Sequence, residues 1–328
     1  MKLLNMDCLV TGGAGFIGSH LARRLLNDEN RVVVVDDLSS GNRKNIVDLI
    51  GQTGFEFKRL DLRDPENFRD VVSGIDAVFH LAANMGGIGW ISSVGADIMR
   101  DNLQMNINFL EACRLEDVKY ALYSSSACIY PADKQNAPWV PPLREDDDIP
   151  AEPDQFYGWE KLATERMCHA YNLDHSMKVR VLRYHNIYGP GGAWEGGKEK
   201  APAALCRKVA EATDPGKIVV WGDGKQTRSF CYIDDAIEAT ILRMLSDYLL
   251  PLNVGSDRKI TIDDLASRII KISGKEIDIV HDTTKPQGVR GRNADLTRVK
   301  KMLGWEPKTS LDEGLKRTYE WVLRELQS

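Results

Sequence analysis

The sequence predicts an α/β protein: a doubly wound parallel sheet with helices on both faces, and a smaller, interleaved C-terminal domain. Two observations carry this. Short apolar runs alternate with amphipathic segments across the first two-thirds of the 328 residues, the pattern of consecutive βαβ units. A glycine-rich turn spanning residues 12–18 then follows the first apolar run and opens the first amphipathic one.

In chain order, the predicted strands are Cys8–Val10, Val32–Val35, Phe55–Arg59, Ala77–Leu81, Tyr120–Ser124 and Val179–Arg183. Helical patterns fall between them at Phe16–Leu26, Ala96–Arg114 and Tyr157–Tyr171. A further helix, Asp235–Leu245, and a strand around Leu252–Val254 return the chain to the same sheet. Residues 190–230 differ: they are rich in Gly, Pro and Lys, then carry a helix and a strand. From about 256 onward come helical patterns at Ile262–Ile272 and Leu311–Leu326. The expected division is therefore 1–189 plus about 231–255 for the sheet domain, and 190–230 plus about 256–328 for the smaller one.

A net charge of −5 argues against a nucleic-acid partner, whose phosphates call for an excess of Lys and Arg. No apolar run approaches a membrane span, and the N-terminus lacks the basic and apolar pattern of a secretory signal. The six cysteines form no C-x-x-C pair and no zinc-like cluster, so no metal is expected, and their scatter suits a reducing, cytoplasmic setting.

Residues 10–20 read V-T-G-G-A-G-F-I-G-S-H. Gly12, Gly15 and Gly18, with Phe16 and Ile17 between them, form a variant of the Rossmann dinucleotide fingerprint. Glycines let the backbone turn tightly against a pyrophosphate, and the helix N-terminus offers amide donors. Such a turn without a ligand is the plain alternative, but here the surroundings are in register. Asp36 ends the next strand, where a carboxylate accepts from an adenosine ribose and repels a 2′-phosphate, which favours NAD over NADP. Asp61 and Leu62 are placed to flank the adenine, and Leu81, Ala82 and Ala83 to line the cleft.

Tyr157 and Lys161 make Y-x-x-x-K, two side chains on one helix face. A lysine charge beside a phenol, with the nicotinamide nearby, is expected to lower the phenol pKa so that Tyr157 removes a hydroxyl proton. Ser126, at the end of the preceding strand, is positioned to hold the same oxygen. The fingerprint, the serine run and Y-x-x-x-K together resemble the short-chain dehydrogenase/reductase superfamily, in its extended branch that acts on nucleotide sugars.

Further stretches narrow the resemblance: A-A-N-M-G-G-I-G (82–89), S-S-A-C-I-Y-P (125–131), R-Y-H-N-I-Y-G-P (183–190), G-G-K-E-K-A-P-A-A (196–204), W-G-D-G-K-Q-T-R-S-F (221–230) and G-V-R-G-R-N (288–293). Across nearly the whole chain these resemble the GDP-mannose 3,5-epimerase family. That resemblance implies transient oxidation at the sugar C4, which acidifies the protons at C3 and C5, with Cys128 and Lys200 as the acid/base pair and Lys198 the alternative to Lys200. Cys128 lies two residues past Ser126, facing the same cleft if the strand end stays extended. The resemblance also implies a GDP-sugar site formed by Gly86, Gly87, Ser126, Ala127, Asn186, Glu199, Lys200, Ala201, Lys208, Gln226, Arg228 and Arg292. A homodimer through the helices Ala96–Arg114 and Tyr157–Tyr171 is implied too. The sequence departs from the family at Asn84, where the family has Asp, and at D-D-L-S-S-G (36–41), which is closer to UDP-sugar 4-epimerases. The chain also ends soon after its last helix, without the family's longer tail. A related GDP-manno sugar, a 4-epimerase or 4-dehydrogenase, and more remotely a non-catalytic NAD sensor, stand as alternatives.

Overall fold

A computed structural model describes residues 2–153 and 155–327. Its main sheet has seven strands. Six run in order along the chain: β1 (Asp7–Thr11), β2 (Arg31–Val35), β3 (Phe55–Lys58), β4 (Ala77–His80), β5 (Tyr120–Ser126) and β6 (Val179–Tyr184). The seventh is Leu252–Val254, and the spatial order is Leu252–Val254, β6, β5, β4, β1, β2, β3, with every pairing parallel.

Alternate residues of these strands feed two cores. Cys8 and Val10 of β1 pack with Leu21, Ala22 and Leu25 of the helix Phe16–Asn27. Leu9 faces the other way, into a core with Phe68 of the helix Pro65–Val72 and Phe109 and Leu110 of the helix Gly95–Leu115. Burial on both faces explains why these strands read as continuous apolar runs.

Between β1 and β4 the strand order reverses, so the loops after Thr11 and His80 leave in opposite directions and open a crevice at the carboxyl ends. The chain beyond β6 covers this end. A three-stranded sheet of Lys259–Thr261, Thr227–Ser229 and Gly291–Arg292 lies there, together with the parallel pair Gly216–Trp221 and Ile277–Asp282. The helices Ala201–Glu211, Ile262–Ser273 and Leu311–Gln327 support them through Leu205, Leu265 and Leu315.

Every strand and helix expected from the first 189 residues is present, with ends moved by one to three residues. The helix Pro65–Val72 was not expected. Its eight residues are too few to show a period, but Asp64 accepts from the Glu66 amide as a cap and Pro65 presets the first turn.

Candidate active site

The crevice is a cavity of about 490 Å³ lined by both ends of the proposed chemistry. Gly12, Gly15, Phe16, Ile17, Gly18, Asp36, Leu62, Leu81, Ala82 and Ala83 line one end, with Ser126, Tyr157, Lys161, Gly86, Asn186 and Lys200 towards the other.

At the first end, Gly12 has φ +65°, and a Cβ on it would sit 2.8 Å from the Ala82 backbone. A Cβ on Gly18 would lie 2.3 Å from the Gly12 carbonyl oxygen. The turn therefore closes only with glycine at both positions. No side chain caps the Phe16–Asn27 helix, which leaves its first amides as donors at the cleft. Asp36 accepts from the amides of Ala14 (3.1 Å) and Leu38 (2.8 Å), and burial raises its pKa. This cradle fits a dinucleotide: uncapped amides for a pyrophosphate and a carboxylate at the ribose position. Asp61 is placed differently from the expectation. Its carboxylate is taken by Arg63 at 2.7 Å, and it is Leu62 and Arg63, not Asp61, that line the cavity.

In the middle, Tyr157 is 5% exposed and Ser126 hydrogen-bonds to its phenol. The Lys161 ammonium lies 5.5 Å from the Tyr157 ring centroid and 3.7 Å from Glu160 Oε1. The expected lowering of the Tyr157 pKa is absent from the protein alone. Burial, and next the Glu160 charge, push it well above the usual phenol value, with Ser126 opposing. The Lys161 charge is largely answered by Glu160, and the nicotinamide charge in the expectation is not one the protein supplies.

Cys128 does not continue an extended strand. β5 ends at Ser126, and Ala127–Ile129 form a 3₁₀ turn that Ser126 caps by accepting from the Cys128 amide at 3.2 Å. The half-buried thiol packs with Tyr157, Ile91 and Ile98, and Cys128, expected to face the cleft, is not among the residues that line the cavity because the turn takes it out of the extended path. Lys200 precedes the helix Ala201–Glu211, its side chain exposed within the concave cleft. Protein crowded around that concavity lowers its pKa, an effect that nearby Cys128 partly opposes. Lys198 also lines the cavity, but its ammonium sits over the Trp90 ring, 4.2 Å from the centroid.

Several expected substrate residues have other partners. Ala127 is buried in a small core with Ile129, Tyr130 and Leu162, away from the cavity lining. A Cβ on Gly87 would meet the Glu199 carbonyl oxygen at 2.7 Å, so that close approach is to protein; Gly86 packs on Trp90 and does line the cavity. Glu199 pairs with Arg207 at 3.2 Å. Lys208 donates to the Val219 carbonyl at 2.7 Å, Gln226 to that of Trp221 at 3.0 Å, and Arg228 to that of Thr227 at 2.8 Å. Ala201 begins its helix, and none of these five residues lines the cavity. Asn186 does line it, held at φ +46° while its amide donates to the Ser229 carbonyl at 3.0 Å. Arg292 is also outside the lining, and its guanidinium donates to Cys128 Sγ at 3.4 Å.

Sequence reasoning missed a buried relay linking the two halves of the site. Thr11 Oγ1 accepts from the amides of Leu81 and Ala82 (3.1 and 3.2 Å) and meets His80 Nδ1 at 2.8 Å. His80 Nε2 lies 3.0 Å from Asn106 Oδ1, and the Asn106 amide donates to Glu160 Oε2 at 3.2 Å. Asn102 donates to Glu160 Oε1 at 2.8 Å, and Glu160 faces Lys161. Burial, then Lys161, lowers the His80 pKa to about 3, so the ring is a neutral link. Polar residues at helix-face spacing on Gly95–Leu115, Asn102 and Asn106, were the available signal. Trp90 was missed too; its indole donates to Asn84 Oδ1 at 3.1 Å.

The model of the NAD dependent epimerase/dehydratase family matches residues 8–254. The chain belongs to this family. NAD is the family's cofactor, and the glycine cradle of this member fits it. Among curated relatives, GDP-mannose 3,5-epimerase of Arabidopsis thaliana is 43% identical over 323 residues, covering 98% of this chain and 84% of that protein. Among solved members, UDP-glucose 4-epimerase of Thermotoga maritima, determined with UDP-glucose, has a TM-score of 0.88 at 31% identity, covering 98% of this chain and 100% of that one. UDP-glucuronic acid 4-epimerase of Bacillus cereus, determined with UDP-glucuronic acid and NAD, has a TM-score of 0.84 at 30% identity, covering 98% and 100%.

Proposed function

We propose that this member of the family epimerises GDP-mannose at C3 and C5 through transient oxidation at C4, giving GDP-L-galactose and GDP-L-gulose. The observation that carries the reading is the placement of Cys128 against Tyr157 and within electrostatic reach of Lys200, with Tyr157 and Lys200 both lining the cleft. A 4-epimerase turns a ketone between two faces and has no use for a second acid/base pair; an enzyme that moves protons at carbon needs one. The 43% identity to a GDP-mannose 3,5-epimerase supports the same substrate.

NAD, when bound, supplies the acceptor and later the donor of the C4 hydride. Tyr157 takes the C4 hydroxyl proton while Ser126 holds that oxygen, and Lys161 supplies the neighbouring positive charge. The C4 ketone acidifies the adjacent C–H bonds, and Cys128 and Lys200 then remove and return protons there. Of Lys198 and Lys200, Lys200 is the better base. Its surroundings lower its pKa, whereas the Lys198 side chain is engaged over the Trp90 ring.

The interleaved division fits this reading, with 1–189 plus about 231–255 holding NAD and 190–230 plus about 256–328 holding the nucleotide sugar. Lys208, Gln226, Arg228, Glu199 and Ala201 would form the outer wall of that second site rather than the reacting centre. A cytoplasmic homodimer is part of the proposal. Ile107 and Leu115, with Phe156, Trp159 and Leu173, are large apolar side chains exposed on the helices Gly95–Leu115 and Phe156–Asp174.

Incubation of the purified, NAD-loaded protein with GDP-mannose, followed by ion-exchange separation, tests the substrate. New GDP-hexose isomers are expected. GDP-mannose left unchanged by folded, NAD-loaded protein would overturn the assignment.

A further inference from the structure

Arg292 belongs to the set of residues expected to form the GDP-sugar site, yet its side chain is engaged elsewhere. It is 7% exposed, and its Nη1 donates to Cys128 Sγ at 3.4 Å. On its other edge, Nε donates to Gln135 Oε1. Gln135 is fully buried and fixed in turn, its amide donating to the carbonyls of Tyr130 and Pro131 at 3.0 Å each. The backbone beside Arg292 is tied to the same residue: the Arg290 amide donates to the Gln135 carbonyl at 2.9 Å. Arg292 Nη2 has no hydrogen-bond partner among the described residues, which leaves one donor edge of a largely committed guanidinium.

We propose that Arg292 sets the reactivity of the Cys128 sulfur, with Gln135 as the positioning residue that holds the guanidinium against it. A thiol that exchanges protons with carbon must carry negative charge on sulfur during part of the cycle. A hydrogen bond from a cation stabilises that charge more than the neutral thiol. Three groups from separate segments face the sulfur: Arg292 on the strand Gly291–Arg292, Lys200 before the helix Ala201–Glu211, and Tyr157 on the helix Phe156–Asp174. Only Arg292 makes a direct hydrogen bond to it among the described residues. The catalytic consequence rests on the reading of Cys128 as an acid/base; the contact itself does not.

Selective alkylation tests this without any sugar nucleotide. The other five cysteines are buried, which pushes the thiols of Cys8 and Cys206 up to about 12 and those of Cys113, Cys168 and Cys231 higher still. Iodoacetamide labelling of the NAD-loaded protein, followed at Cys128 by peptide mass spectrometry across about pH 5 to 10, reads the sulfur alone. Arg292→Met should slow labelling of Cys128 at neutral pH about tenfold. Gln135→Leu should slow it by an intermediate factor, Arg292→Lys should restore part of the rate, and Lys200→Met should leave most of the wild-type rate in place.

An unchanged labelling rate in folded Arg292→Met overturns the proposal. If Arg292→Met does not fold, Gln135→Leu and Lys200→Met decide: a rate unchanged in Gln135→Leu but lost about tenfold in Lys200→Met assigns the effect to Lys200 and overturns the proposal. Failure to turn over GDP-mannose would leave these labelling results standing, so the two readings fail separately.

Discussion

Tyr157, Lys161 and their neighbours show how much burial changes the chemistry implied by a short motif. Y-x-x-x-K was legible because two residues on one helix face need no long-range information. The electrostatics were not legible, because Glu160 sits between them in sequence and turns out to be the main partner of Lys161. Replacement of Tyr157 by Phe should lower kcat by about 10²- to 10⁴-fold while bound NAD is retained, read by steady-state kinetics and cofactor release. Replacement of Glu160 by Leu leaves the Lys161 ammonium buried and unpaired. It should cost about 3–5 kcal/mol in denaturant unfolding. Lys200 makes a pH prediction with a definite sign. A base with a lowered pKa becomes neutral as pH rises through that lowered value, so kcat/KM should rise and level off below the ordinary lysine value near 10.4. Lys200→Arg should remove that limb and most of the activity, whereas Lys198→Arg should keep the limb.

Among the elements, the turn after β1 carries the clearest structural requirement. Its glycines are needed because the backbone of Ala82 and the Gly12 carbonyl occupy the space a Cβ would fill. Gly18→Ala should therefore lose bound NAD and about 1–3 kcal/mol of stability, measured by cofactor content and thermal unfolding. Strands β1 to β6 and their long helices were legible because burial on both sheet faces writes itself as apolar runs and periodic stripes. The short elements were not. The Ala127–Ile129 turn that aims Cys128 depends on one hydrogen bond to Ser126, and nothing in S-S-A-C announces it. The strand Gly291–Arg292 is two residues long and exists through its pairing with Thr227–Ser229, a contact no local pattern encodes. For the same reason sequence reasoning set Arg292 in the GDP-sugar site, while the pairing carries it to the thiol.

For the molecule as a whole, the crevice is a consequence of strand order, and the covering segments determine what enters it. The loop around Gly86 and Trp90 and the segment through Lys198 meet above the cleft, where the Gly87 amide donates to the Lys198 carbonyl at 3.1 Å. On the outer side, the apolar residues of Gly95–Leu115 and Phe156–Asp174 lie on the elements that carry the Glu160 relay. Leu173→Glu together with Ile107→Glu should yield a monomer in sedimentation analysis if those helices form the dimer contact; an unchanged sedimentation coefficient would place the contact elsewhere. The central claim concerns protons on carbon. It is tested most directly by following GDP-mannose with the enzyme in D₂O by NMR. Deuterium entering both C3 and C5 as new diastereomers form is the predicted result. Turnover at C4 with neither carbon labelled would contradict the account and identify a 4-epimerase in its place.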